Sequence, residues 1–259
     1  MKLDEIRATK NIFENGIWYH TLDFEDVTSK GTFDYRKLIN ELNIPDMKNQ
    51  SVLDIGCSDG FFTYHFLDKL EAKNVTGVDI NKYDGSIAFD VLENHKSDYE
   101  KKYSEQNDFD RLKSDYEILK LSNGNKYLLL KKIFDLKCNF EYGSIYNLNE
   151  FDNYDITFCG SLLEHLRDPI TAIEQMYLKT NNFCIIDVSN SFNTGLFSSR
   201  KNYLKYTGAG GNFYHYSWKA IKSMMENSGF RNVSLLNDYK IKIEKYNYKI
   251  PHILVVGYK

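Results

Sequence analysis

The sequence predicts an α/β fold in which a mostly parallel sheet is covered by helices on both faces. Short runs rich in β-branched and aromatic residues at 51–54, 74–79, 154–159 and 183–188 are separated by stretches long enough for a helix. Such alternation is what crossover connections between parallel strands produce. Near the end, the runs at 231–236 and 252–257 follow each other with no helical pattern between them, which predicts an antiparallel closing pair and a reversed last strand.

Taken in order, residues 1–45 precede the first strand and carry Trp18-Tyr-His-Thr-Leu-Asp-Phe24, an aromatic cluster too polar for a plain core helix. This segment is expected to form an N-terminal helical lid, and residues 46–259 the main domain with insertions at 84–125 and 190–217. The first insertion contains the charged stretch 93–110, which reads as a solvated segment. A structureless loop of that length would be unusual, so extra helix is expected there. Ser122-Asn-Gly-Asn125 is a turn signal, after which 127–136 can form a helix leading into a strand at 138–142. A hairpin around Asn123-Gly124 is the competing reading.

Composition narrows the partners. Lys and Arg number 33 against 36 Asp and Glu, a formal charge of −3, so the totals imply no basic surface made for a phosphodiester backbone. The first residues lack the basic-then-apolar order of a signal peptide, and no apolar run approaches the roughly 20 residues a membrane helix needs. A cytoplasmic protein that binds neither membrane nor nucleic acid is the expectation. Cys57, Cys138, Cys159 and Cys184 are scattered and are expected as reduced core thiols.

The chemistry concentrates in Asp54-Ile-Gly-Cys-Ser-Asp-Gly60, directly after the first strand. A strand-to-helix turn exposes backbone N–H groups, and Gly56 and Gly60 let a ligand approach that backbone closely. Asp79 ends the second strand 19 positions after Gly60, where a carboxylate can accept both hydroxyls of a ribose. An acid two positions before the first glycine disfavours a pyrophosphate and suits a ligand carrying an amino group.

These residues resemble the class I S-adenosylmethionine-dependent methyltransferases, a Rossmann-like family with a seven-stranded sheet whose first motif is acid-x-Gly-x-Gly-x-Gly. Asp54, Gly56 and Gly60 match it, and Ser58 stands for the middle glycine. Gly143-Ser-Ile-Tyr-Asn-Leu148 is similar to the family's adenine-side segment, and Phe158-Cys-Gly-Ser-Leu-Leu-Glu-His-Leu-Arg-Asp-Pro169 to the segment after its fourth strand. The resemblance implies S-adenosyl-L-methionine as cofactor, held by Asp54, Gly56, Cys57, Ser58, Gly60, Phe61, Asp79, Ile80, Ser144, Ile145, Tyr146, Gly160 and Ser161. Trp18-Tyr-His, the glycine loop and the segment from Gly160 to Pro169 further resemble the branch that includes the tRNA wobble-uridine methoxylating enzymes, many members of which act on small molecules or sugars. The closing Gly211-Asn-Phe-Tyr-His-Tyr-Ser-Trp218 is similar to that branch's substrate-side insert.

Methyl transfer to oxygen needs a base near neutral pH, for which histidine is the usual group. His215, between two tyrosines in the insert, and His165, just beyond the fourth strand, are the catalytic candidates, with His215 favoured as the base. Trp18, His20 and Tyr214 are the substrate-binding candidates, and His20 is third in line as a base. His65 is expected to pack within the first helix, while His95 and His252 look peripheral. The Glu164-His165 pair resembles part of a metal site in quinone-precursor O-methyltransferases, but Ser161 and Leu162 stand where a further acid would be, so no metal is expected. The leading function is O-methylation of a small hydroxylated metabolite, specifically a sugar or nucleotide-linked sugar for capsular surface polysaccharide. A tRNA-modifying enzyme, using Lys126, Lys131, Lys132 and Lys137 as a basic strip, is the alternative. A non-catalytic cofactor-binding protein is the third.

Overall fold

A computed structural model describes residues 3–16, 18–80, 123–190, 202–209, 212–243 and 248–259. Helices α1 (Leu3–Asn15), α2 (Phe61–Asp68), α3 (Asn123–Ile133), α4 (Pro169–Lys179) and α5 (Trp218–Asn227) pack with a sheet built from β5 (Ser51–Ile55), β6 (Asn74–Asp79), β7 (Cys138–Tyr142), β8 (Tyr154–Gly160), β9 (Thr180–Ser189), β12 (Arg231–Ile243) and β13 (Tyr248–Tyr258). Within these seven strands the order is β12-β13-β9-β8-β5-β6-β7. The pairs from β9 through β8, β5 and β6 to β7 are parallel. Only β13 runs against its neighbours, as the closing pair in the sequence requires.

Period-two alternation divides the core between the two faces of the sheet. On β5, Val52 joins the cluster that includes Phe61, Phe66 and Tyr127. Leu53 and Ile55 join the other, with Leu163, Met176 and Ile221. Asp54 shares the face of Val52 and is 1% exposed. Two helices start as their sequences dictate. Asp168 caps α4 by accepting from the Thr171 N–H, with Pro169 in the first turn, and Ser217 caps α5 by accepting from the Ala220 N–H.

The N-terminal segment differs from the helical lid expected of it. Only α1 is helical. Residues beyond it form β1 (Trp18–His20), β2 (Asp23–Phe24), β3 (Val27–Thr28) and β4 (Gly31–Phe33). β1 pairs with β4, and β4 joins β12 through Phe33 and Ile243, so the sheet has nine strands rather than seven. The cause lies at the chain's other end, where β12 and β13 run beyond their apolar runs and offer an edge for β4. A second difference is at Asn123-Gly124, which opens α3 instead of making a turn or a hairpin. Tyr127 and Leu130, on one helical face, are both buried in the core, and that packing overrides the local turn preference. Of the two insertions, the second holds an antiparallel hairpin of β10 (Leu204–Ala209) and β11 (Asn212–Tyr216). The charged stretch 93–110, with His95, lies outside the described residues.

Candidate active site

The loop between β5 and α2 is wound tightly. Gly56, Ser58 and Gly60 all have positive φ, at 74°, 50° and 85°, and the N–H groups of Gly56 and Cys57 both donate to the Val78 carbonyl at 2.8 and 3.2 Å. A Cβ on Gly56 would meet Leu162 at 3.0 Å, and one on Gly60 would meet Tyr127 at 2.9 Å. The glycines therefore serve close packing as well as ligand approach. Gly56 lines a crevice at the carboxyl ends of β5, β6 and β8, together with Asp79, Ile80, Gly143, Ile145 and Leu162.

Asp79 stands at the rim of this crevice. Its carboxylate accepts from Ser58 N–H at 2.9 Å and from Ile80 N–H at 2.7 Å, which ties the glycine loop to the end of β6. Asp54 lies beneath the loop, accepting from the Thr63 hydroxyl at 2.6 Å, and burial pushes its carboxyl up to about 7. Its role is to brace the loop from the core rather than to face the crevice. Cys57 is likewise a framework residue, 4% exposed, with burial holding its thiol well above the usual range. All four cysteines are free and buried. Ser144 accepts from the Tyr146 N–H at 3.3 Å, and Tyr146 accepts from the Asp168 N–H at 3.0 Å, so the Gly143–Leu148 stretch is fixed to the start of α4. Gly160 ends β8, and Ser161, with φ 48°, donates its N–H to the Asp187 carbonyl at 2.8 Å.

Beyond the crevice, Asp59 was not singled out by the sequence although it sits inside the glycine loop. It is fully buried and accepts three hydrogen bonds, from Tyr19 N–H at 3.1 Å, His20 N–H at 2.8 Å and the His20 ring at 2.6 Å through Nδ1. Burial opposes its ionisation, but His20 and these bonds outweigh it and hold the carboxyl below the usual range. The His20 ring also stacks on Phe61, 5.0 Å between centroids. The N-terminal segment is thus clamped onto the loop by a buried acid. An acid beside a glycine in a motif was the available signal.

Trp18, expected to touch substrate, instead belongs to the core. It is 2% exposed, packs on Phe13 at 4.7 Å between centroids and donates its indole N–H to the Ile12 carbonyl. Lys126 is withdrawn from the expected basic strip, since it is 8% exposed and its ammonium is held down by burial despite Asp59. His65 is buried in α2, and burial pushes it down to about 4.

The hairpin β10-β11 packs against the turn Leu163–His165 that follows β8. Tyr216 donates to the Leu163 carbonyl at 3.0 Å and Tyr214 to the Arg167 carbonyl at 3.2 Å. His165 and His215 are both half-buried on these two neighbouring pieces. Burial lowers the pKa of His215, as does Lys205 in the cross-strand position, while Glu164 acts in the other direction. His252 is not peripheral as its position suggested. It is 3% exposed, with Nδ1 3.3 Å from Asp187, which also accepts from Tyr239 at 2.8 Å. Burial opposes its charging, but Asp187 prevails and the pKa is raised. Among the described residues, no group of three or more His, Cys, Asp or Glu side chains could hold a metal, and no helix is long and apolar enough to cross a membrane.

The model of a methyltransferase domain family matches residues 31–235, which takes in the glycine loop, the crevice and the hairpin. The chain belongs to the class I S-adenosylmethionine-dependent methyltransferases. No protein of curated function matches the sequence. The N-terminal domain of EvdMO1, crystallised in the presence of S-adenosylhomocysteine and D-fucose, aligns with a TM-score of 0.61 and 13% identity, covering 100% of this chain and 97% of that one. A Burkholderia thailandensis 1,6-didemethyltoxoflavin N1-methyltransferase with bound 1,6-didemethyltoxoflavin and S-adenosylhomocysteine aligns at 0.50 and 13% identity, over 82% of this chain and 72% of that one. An O-methyltransferase family protein from the same organism aligns at 0.51 and 9% identity, over 87% and 56%. The methyltransferase thus uses S-adenosyl-L-methionine, and its crevice has the chemistry to fit that cofactor: backbone without Cβ at Gly56, a carboxylate at Asp79, and apolar walls at Ile80, Ile145 and Leu162.

Proposed function

We propose that this methyltransferase methylates a hydroxyl of a small metabolite, with a sugar or nucleotide-linked sugar of surface polysaccharide as the acceptor. The observation that carries the reading is the wall beside the cofactor crevice. The β10-β11 hairpin brings His215 and Tyr214 against the turn that holds Glu164 and His165, and these groups suit a hydroxylated ligand. The whole-chain likeness to a domain crystallised with D-fucose points the same way.

In this reading Gly56, Ser58, Asp79, Ile80, Ile145 and Ser161 hold the cofactor, which supplies an electrophilic methyl group when bound. His215, kept neutral near pH 7 by burial and Lys205, takes the acceptor's proton on an imidazole nitrogen. His165 lies nearer the cofactor, and Tyr214 borders the acceptor, whereas His20, 4% exposed and held by Asp59, braces the glycine loop instead of touching substrate as expected. The hairpin and the clamped N-terminal segment exclude water from the reacting oxygen.

Incubation with S-adenosylmethionine and a set of free and nucleotide-linked sugars, read by mass spectrometry, should yield a singly methylated sugar. His215→Asn should lower kcat by about 10²-fold to 10⁴-fold with cofactor affinity nearly unchanged. Full turnover in both His215→Asn and His165→Asn would leave proximity alone to carry the reaction, and methylation of nitrogen or carbon would overturn the oxygen assignment.

A further inference from the structure

Glu164 sits in the turn between Leu162 and Leu166, two residues of the cofactor crevice. It is 1% exposed. One carboxylate oxygen, Oε1, accepts from the Ser189 N–H at 3.1 Å, while Oε2 is buried and makes no hydrogen bond among the described residues. Ser189 Oγ, in a residue 7% exposed, and Asn190 Oδ1 are also buried without a bond among the described residues. Three oxygens with unused acceptor capacity therefore belong to two segments, the turn after β8 and the end of β9, which the bond from Ser189 N–H to Glu164 joins. Native proteins satisfy nearly all buried polar atoms, so a cluster of exceptions calls for a ligand.

The field around the cluster is negative. Asp187 and Glu164 both act on the buried phenol of Tyr35, adding to burial in raising it. Glu164 also favours the charged forms of His215 and His252. Acceptor oxygens in such a field match hydroxyl hydrogens and repel carboxylates and phosphates.

We propose that Glu164, Ser189 and Asn190 form the subsite for a neutral, polyhydroxylated portion of the acceptor, each accepting a hydrogen bond from a ligand hydroxyl. This rests on the methyl-transfer reading above and narrows it: any phosphate or nucleotide carried by the acceptor must lie away from this end.

The test is calorimetric titration of the S-adenosylhomocysteine-loaded protein with D-fucose and, separately, with D-galacturonate. D-fucose should bind at least about tenfold more tightly than the anion, and Glu164→Gln should weaken D-fucose binding by about 10-fold to 100-fold, the range for losing a hydrogen bond to a charged group. Ser189→Ala should cause a smaller loss. The melting temperature of unliganded Glu164→Gln should be unchanged or raised, since a buried and partly unbonded charge is removed. Equal binding of both sugars, no binding of D-fucose by loaded protein, wild-type affinity in both variants, or a large fall in the Glu164→Gln melting temperature would each overturn the subsite. Failure to take up S-adenosylhomocysteine would instead strike the cofactor crevice and the methyl-transfer reading with it.

Discussion

Asp54 and Asp79 show how two acids of one motif divide their work. Asp54 is buried at 1% exposure, and burial raises its carboxyl to about 7. With the folded value above that of the unfolded chain, its contribution to stability is fully present below about pH 4 and is lost as pH rises through about 7. Asp54→Asn keeps an acceptor for Thr63 and cannot ionise. The variant should match the wild type near pH 4 and exceed its stability by on the order of 4 kcal/mol at pH 8, read from melts across that range. Parallel curves would mean that Asp54 is ionised in the fold throughout. Asp79 is half-buried at the crevice rim and already accepts two backbone bonds. Asp79→Ala should weaken S-adenosylhomocysteine binding by about 1.5–3 kcal/mol, as charge-assisted bonds to ribose are lost. An unchanged dissociation constant in calorimetry would remove Asp79 from the site.

At the scale of elements, the deciding contact is between the glycine loop and β1. Asp59 holds Tyr19 and His20 through three hydrogen bonds in a fully buried position, so the N-terminal segment and the cofactor loop cannot move independently without breaking them. Asp59→Asn retains the shape but loses the charge that these donors face. Amides of β1 should exchange faster by hydrogen-exchange mass spectrometry while those of β5 and β8 stay protected, with a stability loss of about 2–4 kcal/mol. Unchanged protection at residues 18–20 would show that the aromatic packing around Phe13 and Trp18 holds the segment by itself. The hairpin β10-β11 is anchored differently, by Tyr214 and Tyr216 to carbonyls of the segment after β8.

Across the whole molecule, the crevice draws on β5, β6, the Gly143–Leu148 stretch and the turn after β8, elements that are brought together only in the folded sheet. A ligand bound there stabilises the native state by mass action. S-adenosylhomocysteine at 100 times its dissociation constant should add about 2.7 kcal/mol and raise the melting temperature by about 5–10 °C for a chain of this size. No shift at a concentration that saturates binding would mean that the ligand also binds unfolded chain or that the crevice is not its site.

Much of this molecule is decided locally. Apolar runs of the right length and period set β6 and β7 residue for residue and the reversed β13 in kind, and the spacing of Asp54, Gly56, Gly60 and Asp79 marks a tight strand-to-helix loop tied to the next strand's end, because a strand, a tight turn and a strand end each depend on a few adjacent residues. The sheet's extra strands, the burial of Trp18 and Lys126, the Asp59–His20 clamp and the Asp187–His252 pair were not legible there. Each depends on contacts between residues far apart in the chain, 39 positions for Asp59 and His20 and 65 for Asp187 and His252. Local periodicity carries no record of which distant side chain will stand opposite. Asn123-Gly124 makes the same point from the other side: its turn preference is real, but the burial of Tyr127 and Leu130 is worth more than a local propensity, and only the tertiary structure supplies that burial.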